Sequence, residues 1–198
     1  MQRWLRQIPN LLSSIRILLV VPIALDLARQ EWLGTLWLFG IAAVSDAFDG
    51  FLARRFGWAT ALGGILDPLA DKLMLATVFV MLALSGRIPV WLTAVVLVRD
   101  VIIVLGAISY RALLGPVAAN PSLISKLNTV CQIAFILTVI GFQRFSWPSP
   151  WAVPALGALV FVTVVISGID YVLVYGRRAA EQARRGRAMP RHGRSNPA

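Results

Sequence analysis

From Leu11 to Gly176 the chain is a succession of apolar runs, each near the length of a membrane span, separated by short breaks. A helix needs about 20 apolar residues to cross the hydrocarbon of a bilayer. The breaks fall at Gln30-Glu31, Phe56-Gly57-Trp58, Ser85-Gly86-Arg87, Gly115-Pro116 and Ser146 to Pro150, all rich in turn formers or charge. This pattern predicts helices over 9–28, 32–55, 62–86, 89–113, 122–143 and 150–176. The fold class expected is an all-α membrane protein with six transmembrane helices. Composition agrees, with 58% apolar residues, 14% charged and a mean hydropathy of +0.75. Those values exclude a disordered tail, a coiled coil, a cysteine scaffold and an ordinary soluble enzyme. The single Cys131 excludes an intrachain disulfide. The opening stretch is read as the first span and not as a signal peptide, because Arg16 interrupts its apolar run and five more segments follow.

The formal charge is +10, and its distribution gives an orientation. With six spans and both termini in the cytosol, the inner segments hold Arg3, Arg6, Arg54, Arg55, Arg111, Lys126 and seven tail arginines. The outer loops hold Arg29, Arg87 and Arg144. An excess of Lys and Arg on the cytosolic side is the expected bias. Trp32, Trp91, Trp147 and Trp151 then fall at the outer interface. Residues 1–176 are read as a six-helix transmembrane catalytic domain. Residues 177–198 are read as a basic cytosolic tail resting on anionic headgroups. Nothing in the tail suggests a folded nucleic-acid reader, so no nucleic-acid partner is expected.

Four of the nine acidic residues, Asp46, Asp49, Asp67 and Asp71, occur within one stretch of 26 residues. On helices, Asp46 and Asp49 share a face, as do Asp67 and Asp71. If the two helices form a hairpin across 56–61, the pairs can face each other. Carboxylates crowded in low dielectric repel and protonate unless a cation sits among them. An all-oxygen set without nearby His or Cys suits Mg²⁺, Mn²⁺ or Ca²⁺. Gly50, Ala53, Gly63 and Gly64 leave room for a ligand, and Gly63 lies one turn before Asp67. Arg54 lies near the face of Asp46, and a guanidinium beside a metal cluster makes sense with a phosphate between them. Two competing readings are a structural ion cluster and a cation transporter. Intramembrane charge is costly enough to be kept for function, and no repeated halves with broken helices suggest a transporter.

The stretch reads Asp46-x2-Asp49-Gly50-x2-Ala53-Arg54-x8-Gly63-x3-Asp67-x3-Asp71. It resembles, without departure, the motif of the CDP-alcohol phosphatidyltransferases, and the six-helix count is similar to that family's fold over residues 9–176. The resemblance implies an enzyme of phospholipid synthesis that transfers a phosphatidyl group from CDP-diacylglycerol to an alcohol and releases CMP. It implies two divalent ions, Mg²⁺ or Mn²⁺, on Asp46, Asp49, Asp67 and Asp71, with Asp71 also the general base. It places Gly50, Ala53, Arg54 and Gly63 at the CDP-lipid site. Pro9-Asn10-Leu11-Leu12-Ser13 resembles the family's first-helix opening, which puts Asn10 and Ser13 near the nucleotide. Read without the family, this stretch is a helix start, with Arg16 an interfacial cation.

Arg99-Asp100 interrupts the fourth segment, and a charge there needs a partner. Adjacent helical positions point about 100° apart, so the two need not pair with each other. Lys126 reads alone as a snorkelling lysine at a helix end. By the resemblance, Arg99 and Lys126 line the acceptor pocket, which implies an anionic acceptor. The stretches Ile88 to Val101 and Ile124 to Thr129 resemble the CMP-forming cardiolipin synthases, which use phosphatidylglycerol. Relatives that use glycerol 3-phosphate usually carry Arg-Glu where this chain has Arg99-Asp100. The expectation is therefore cardiolipin and CMP as products, with glycerol 3-phosphate as the alternative acceptor. The enzyme is expected in a bacterial inner membrane, with its site facing the cytosol. Homodimers are common among such enzymes, although no residue here indicates one.

Overall fold

The computed structural model describes the backbone of residues 8–56, 63–114 and 123–188, and the side chains of residues 14–45, 69–106 and 123–174. Six helices occur among them: α1 (Ile8–Ala28), α2 (Trp32–Phe56), α3 (Gly63–Leu84), α4 (Val90–Leu114), α5 (Leu123–Phe145) and α6 (Ala152–Ala188). The described chain is all-helical outside its turns. Two helices, α5 and the Ala152–Val174 part of α6, are long and apolar enough to cross a membrane, and Trp32–Ser45 is a shorter apolar stretch.

Helix ends coincide with the breakers in the sequence. After α3, Gly86 takes φ +67, the left-handed conformation that glycine adopts without a Cβ penalty. The Gly86 N–H then donates to Ala83 O at 3.0 Å and the Arg87 N–H to Leu82 O at 2.9 Å. That pair of bonds satisfies carbonyls that the end of a helix would leave bare. After α1 the same pair recurs around Gln30, with Gln30 N–H on Leu27 O and Glu31 N–H on Asp26 O. The two turns meet: Arg87 lies over the Trp32 ring at 5.4 Å and donates to Gln30 Oε1 at 3.4 Å. Trp91, Trp147 and Trp151 are exposed.

The most extensive contacts join α1 to α3 and α5 to α6, followed by α1 to α2 and α4 to α6. Among the described residues, α2 and α3 are not a main packing pair, and the turn of the expected hairpin across 56–61 lies almost wholly outside the described residues. The two aspartate-bearing helices are joined through α1, which packs on both. The core is aliphatic and aromatic: Ile23, Leu27, Phe39, Val78, Phe79, Leu82, Phe135 and Ile140 are fully buried or nearly so. Phe79 stacks on Phe135 with centroids 6.0 Å apart. A membrane offers little hydrophobic drive between helices, so close packing of this kind supplies much of the cohesion.

The last helix continues without interruption past Gly176, the expected end of the catalytic domain, to Ala188. Ala, Arg, Gln and Glu in this part are good helix formers, so loss of hydropathy marks a change of surroundings and not a helix end.

Candidate active site

A belt of ionised and hydroxyl side chains crosses the bundle on five of its six helices. It begins on α1, where Arg16 is 1% exposed. Its guanidinium donates to Asp71 Oδ1 on α3 and forms an ion pair with it. Arg16 is therefore not an interfacial cation, as its place near a helix start suggested. It is held inside the bundle by a carboxylate 55 residues away. Removing a guanidinium from water is costly, and a paired carboxylate offsets that cost.

The next residue on α3 carries the belt onward. Lys72 Nζ donates to Asp100 Oδ1 on α4 at 2.6 Å. Arg99 NH1 donates to the same oxygen at 2.7 Å, so the neighbours Arg99 and Asp100 do pair. The long guanidinium folds back along its own helix and overcomes the angular separation of their Cα–Cβ bonds. Arg99 NH2 donates to Ser125 Oγ on α5 at 3.0 Å and to Ser167 Oγ on α6. Both Arg99 and Asp100 are buried. One carboxylate thus holds two cations, and Asp100 is the node that links the aspartate helix α3 to α4, α5 and α6.

Buried amides extend the polar region along α5. Thr163 Oγ1 donates to Asn128 Oδ1 at 3.1 Å. Neither end of the Gln132 amide meets a hydrogen-bond partner among the described residues. Further along, Tyr171 on α6 lies across Gly106 on α4 and donates its hydroxyl to Ile103 O at 2.9 Å. A Cβ at Gly106 would stand 2.8 Å from the Tyr171 ring, so this crossing requires glycine.

Of the residues expected from the sequence, Asp71 and Arg99 fall in this belt, on opposite sides of the Lys72–Asp100 pair. Lys126 does not: it is exposed on α5 and has no ion-pair partner among the described residues. Asp46, Asp49, Gly50, Ala53 and Arg54 lie on α2, Gly63 and Asp67 on α3, and Asn10 and Ser13 on α1. The side-chain positions of these residues lie outside the described residues. The motif's four acidic residues are all carboxylates, an oxygen chemistry that suits a hard divalent cation, and of the four only Asp71 has a described side chain. The sequence reading missed Arg16 as a partner of Asp71, and it also missed Lys72 and Ser167. A lone hydroxyl in the apolar run before Gly168 was the one available sign of Ser167.

Comparison with known proteins places this architecture. The family model described as CDP-alcohol phosphatidyltransferase matches residues 6–180. The chain belongs to the CDP-alcohol phosphatidyltransferase family. It is 30% identical over 192 residues to a cardiolipin synthase (CMP-forming) of Homo sapiens, covering 88% of this chain and 63% of that protein. It is 32% identical over 136 residues to a probable phosphatidylglycerophosphate synthase of Mycobacterium tuberculosis, covering 68% of this chain and 62% of that protein. A CDP-diacylglycerol–glycerol-3-phosphate 3-phosphatidyltransferase of Bacillus subtilis is 36% identical over 138 residues, covering 68% of this chain and 69% of that protein. The chain thus spans somewhat under two thirds of the length of the human relative.

Proposed function

We propose that the protein is an integral membrane enzyme, with six spans and its site open to the cytosolic side of a bacterial inner membrane. In this reading it transfers the phosphatidyl group of CDP-diacylglycerol to phosphatidylglycerol and releases cardiolipin and CMP. The observation that carries the reading is the Asp71 carboxylate of the eight-position motif, set against the buried Arg16 guanidinium and next to the Lys72–Asp100–Arg99 cluster.

In the reaction, the acceptor hydroxyl oxygen attacks the phosphatidyl phosphorus, the bond from that phosphorus to the CMP oxygen breaks, and CMP leaves with the bonding pair. Asp71 takes the proton of the attacking hydroxyl. Arg16 holds Oδ1 of Asp71 and so fixes which way the carboxylate faces. Arg54 and the small residues Gly50, Ala53 and Gly63 bind the diphosphate, and Asn10 and Ser13 meet the nucleotide. Arg99 attracts the acceptor's phosphate, with Lys126 near the mouth of that site. Asp46, Asp49, Asp67 and Asp71 would hold two divalent cations, Mg²⁺ or Mn²⁺, which when bound polarise the diphosphate oxygens and neutralise charge on the leaving group. The basic end of α6 and the residues after it rest on anionic headgroups.

A second reading, transfer to glycerol 3-phosphate, is favoured by the Bacillus subtilis relative, whose name carries that acceptor. One assay separates the two. Purified protein receives CDP-diacylglycerol with phosphatidylglycerol or with glycerol 3-phosphate, and the lipid product is identified. Cardiolipin formation supports the first reading and phosphatidylglycerophosphate the second. Absence of CMP release with either acceptor, together with cation flux into lipid vesicles free of CDP-lipid, would replace both with a transporter.

A further inference from the structure

The seam between α5 and α6 carries more polar atoms than its side chains can pair. The two helices run antiparallel, and three levels fix their register. Arg99 joins Ser125 to Ser167, Thr163 meets Asn128, and a Cβ at Gly157 would lie 3.3 Å from the Phe135 ring. At each of these levels the residue on α5 faces one that suits it. The same register sets Gln132 level with Val160, whose side chain offers only carbon. Asn128 and Gln132 are both 0% exposed, as is Val160.

Among the described residues, neither Nε2 nor Oε1 of Gln132 has a hydrogen-bond partner, and Asn128 Nδ2 has none either. Turning the Asn128 amide over does not cure this. Thr163 Oγ1 carries one proton and stands 3.1 Å from Asn128 Oδ1 and 3.0 Å from Val160 O. If Asn128 donates to Thr163 instead, Thr163 donates to Val160 O, and Asn128 Oδ1 becomes the open end. In either orientation one end of Asn128 and both ends of Gln132 stay open. Buried polar groups are bonded to protein or to ordered water, because a bare one forfeits the bonds it had in solvent. Beyond Gln132 the same face of α5 carries Phe135, Ile136, Val139 and Ile140, all buried, so its polar run ends at Gln132.

We propose that Asn128 and Gln132 hold ordered water in the seam between α5 and α6, with at least one molecule bonded to both amides. The two residues stand one turn apart on one face, with Cβ atoms about 5–6 Å from each other. A water bonded to both spans much the same distance, through two bonds of about 2.9 Å each. Either end of an amide suits water, which both donates and accepts. A buried water takes about two to four polar partners, and the open ends of these amides supply them. The site extends the polar belt inward from Ser125 and stops against Phe135, so its water exchanges by way of the belt and not across the bundle. It gives α5 and α6 a polar contact at the level where their side chains do not match. It stands independently of the phosphatidyl-transfer reading.

Solid-state NMR of the isotope-labelled full chain in lipid vesicles tests this without turnover. Magnetisation is passed to the side-chain amides from water protons and, separately, from acyl-chain protons. Signals are assigned by correlation to the backbone, so the first measurement needs no variant. The expected result is transfer from water to the Gln132 amide comparable to that at exposed Gln30, and none from the acyl chains. The Phe135 ring, one turn further along, should receive none from water. Gln132→Met, similar in length and without an amide, should lower the transfer from water to Asn128 about tenfold, because a water left with one partner is no longer held. Absence of transfer from water to Gln132 in the unaltered chain would overturn the proposal. Equal transfer from the acyl chains would make the seam open to lipid and overturn it as well. Undiminished transfer to Asn128 in a folded Gln132→Met variant would show that the two amides share no water, with the same consequence. Should that variant fail to fold, the unaltered chain still decides the matter.

Discussion

Two regions of the same bundle are built on opposite principles. Around Phe79 and Phe135 the helices meet through carbon, with no charge to satisfy and only shape to match. Between Arg16 and Ser167 they meet through ions and hydroxyls, each holding a partner on another helix or on the next residue. A carbon core can be trimmed at a graded cost. An ionic belt fails abruptly, since removing one member leaves another charged and unpaired away from water. The apolar region therefore sets how firmly the helices hold, and the belt sets where carboxylates and cations stand.

The largest effect should come from the reacting carboxylate. Asp71→Asn should lower CMP release by about 10²–10⁴-fold, the usual contribution of a general base, in a protein that still purifies as a folded species. Near-normal turnover would remove Asp71 from that role. Metal withdrawal should be comparably severe. EDTA should stop CMP release and Mg²⁺ or Mn²⁺ should restore it, whereas release that persists in chelator would break the four-aspartate site.

Arg16→Met should affect both sides of the comparison. It should cost about 2 kcal/mol of thermal stability, reduced from a fully buried pair because the Asp71 side chain is 31% exposed, and it should lower turnover as well. Adding Asp71→Asn to Arg16→Met should recover most of the stability and none of the activity. Failure of that recovery would show that the pair does not act as a unit. Phe135→Ala should do the reverse, lowering stability by about 3–5 kcal/mol while the Michaelis constant for the acceptor stays unchanged. The smallest effect is expected at Lys126→Ala, a modest rise in the Michaelis constant for the acceptor alone. If acceptor dependence does not move, Lys126 has no part in that pocket.

The helices were legible because apolar runs and breakers both act locally. Gly86 and Gln30 stop α3 and α1 by capping geometry that needs only neighbours in sequence. The family motif was legible for a similar reason, since helical spacing puts its aspartates in pairs. Arg16 was not legible. Its partner lies 55 residues away, and nothing near position 16 distinguishes a snorkelling arginine from a buried one. The Arg99–Asp100 pair was left open because backbone angles alone do not decide it, and the reach of the guanidinium does. That α1 packs on both α2 and α3 was not legible either, because helix order in the chain says nothing of which neighbours pack most closely.

The Tyr171 hydroxyl, fastened to Ile103 across Gly106, ties α4 to α6 where the two helices cross. The joint works by a bolt and a notch: the hydroxyl bonds a backbone carbonyl, and the missing Cβ lets the ring lie flat against the opposite helix. Even one added methyl at position 106 would push the ring off its seat and loosen the bolt with it.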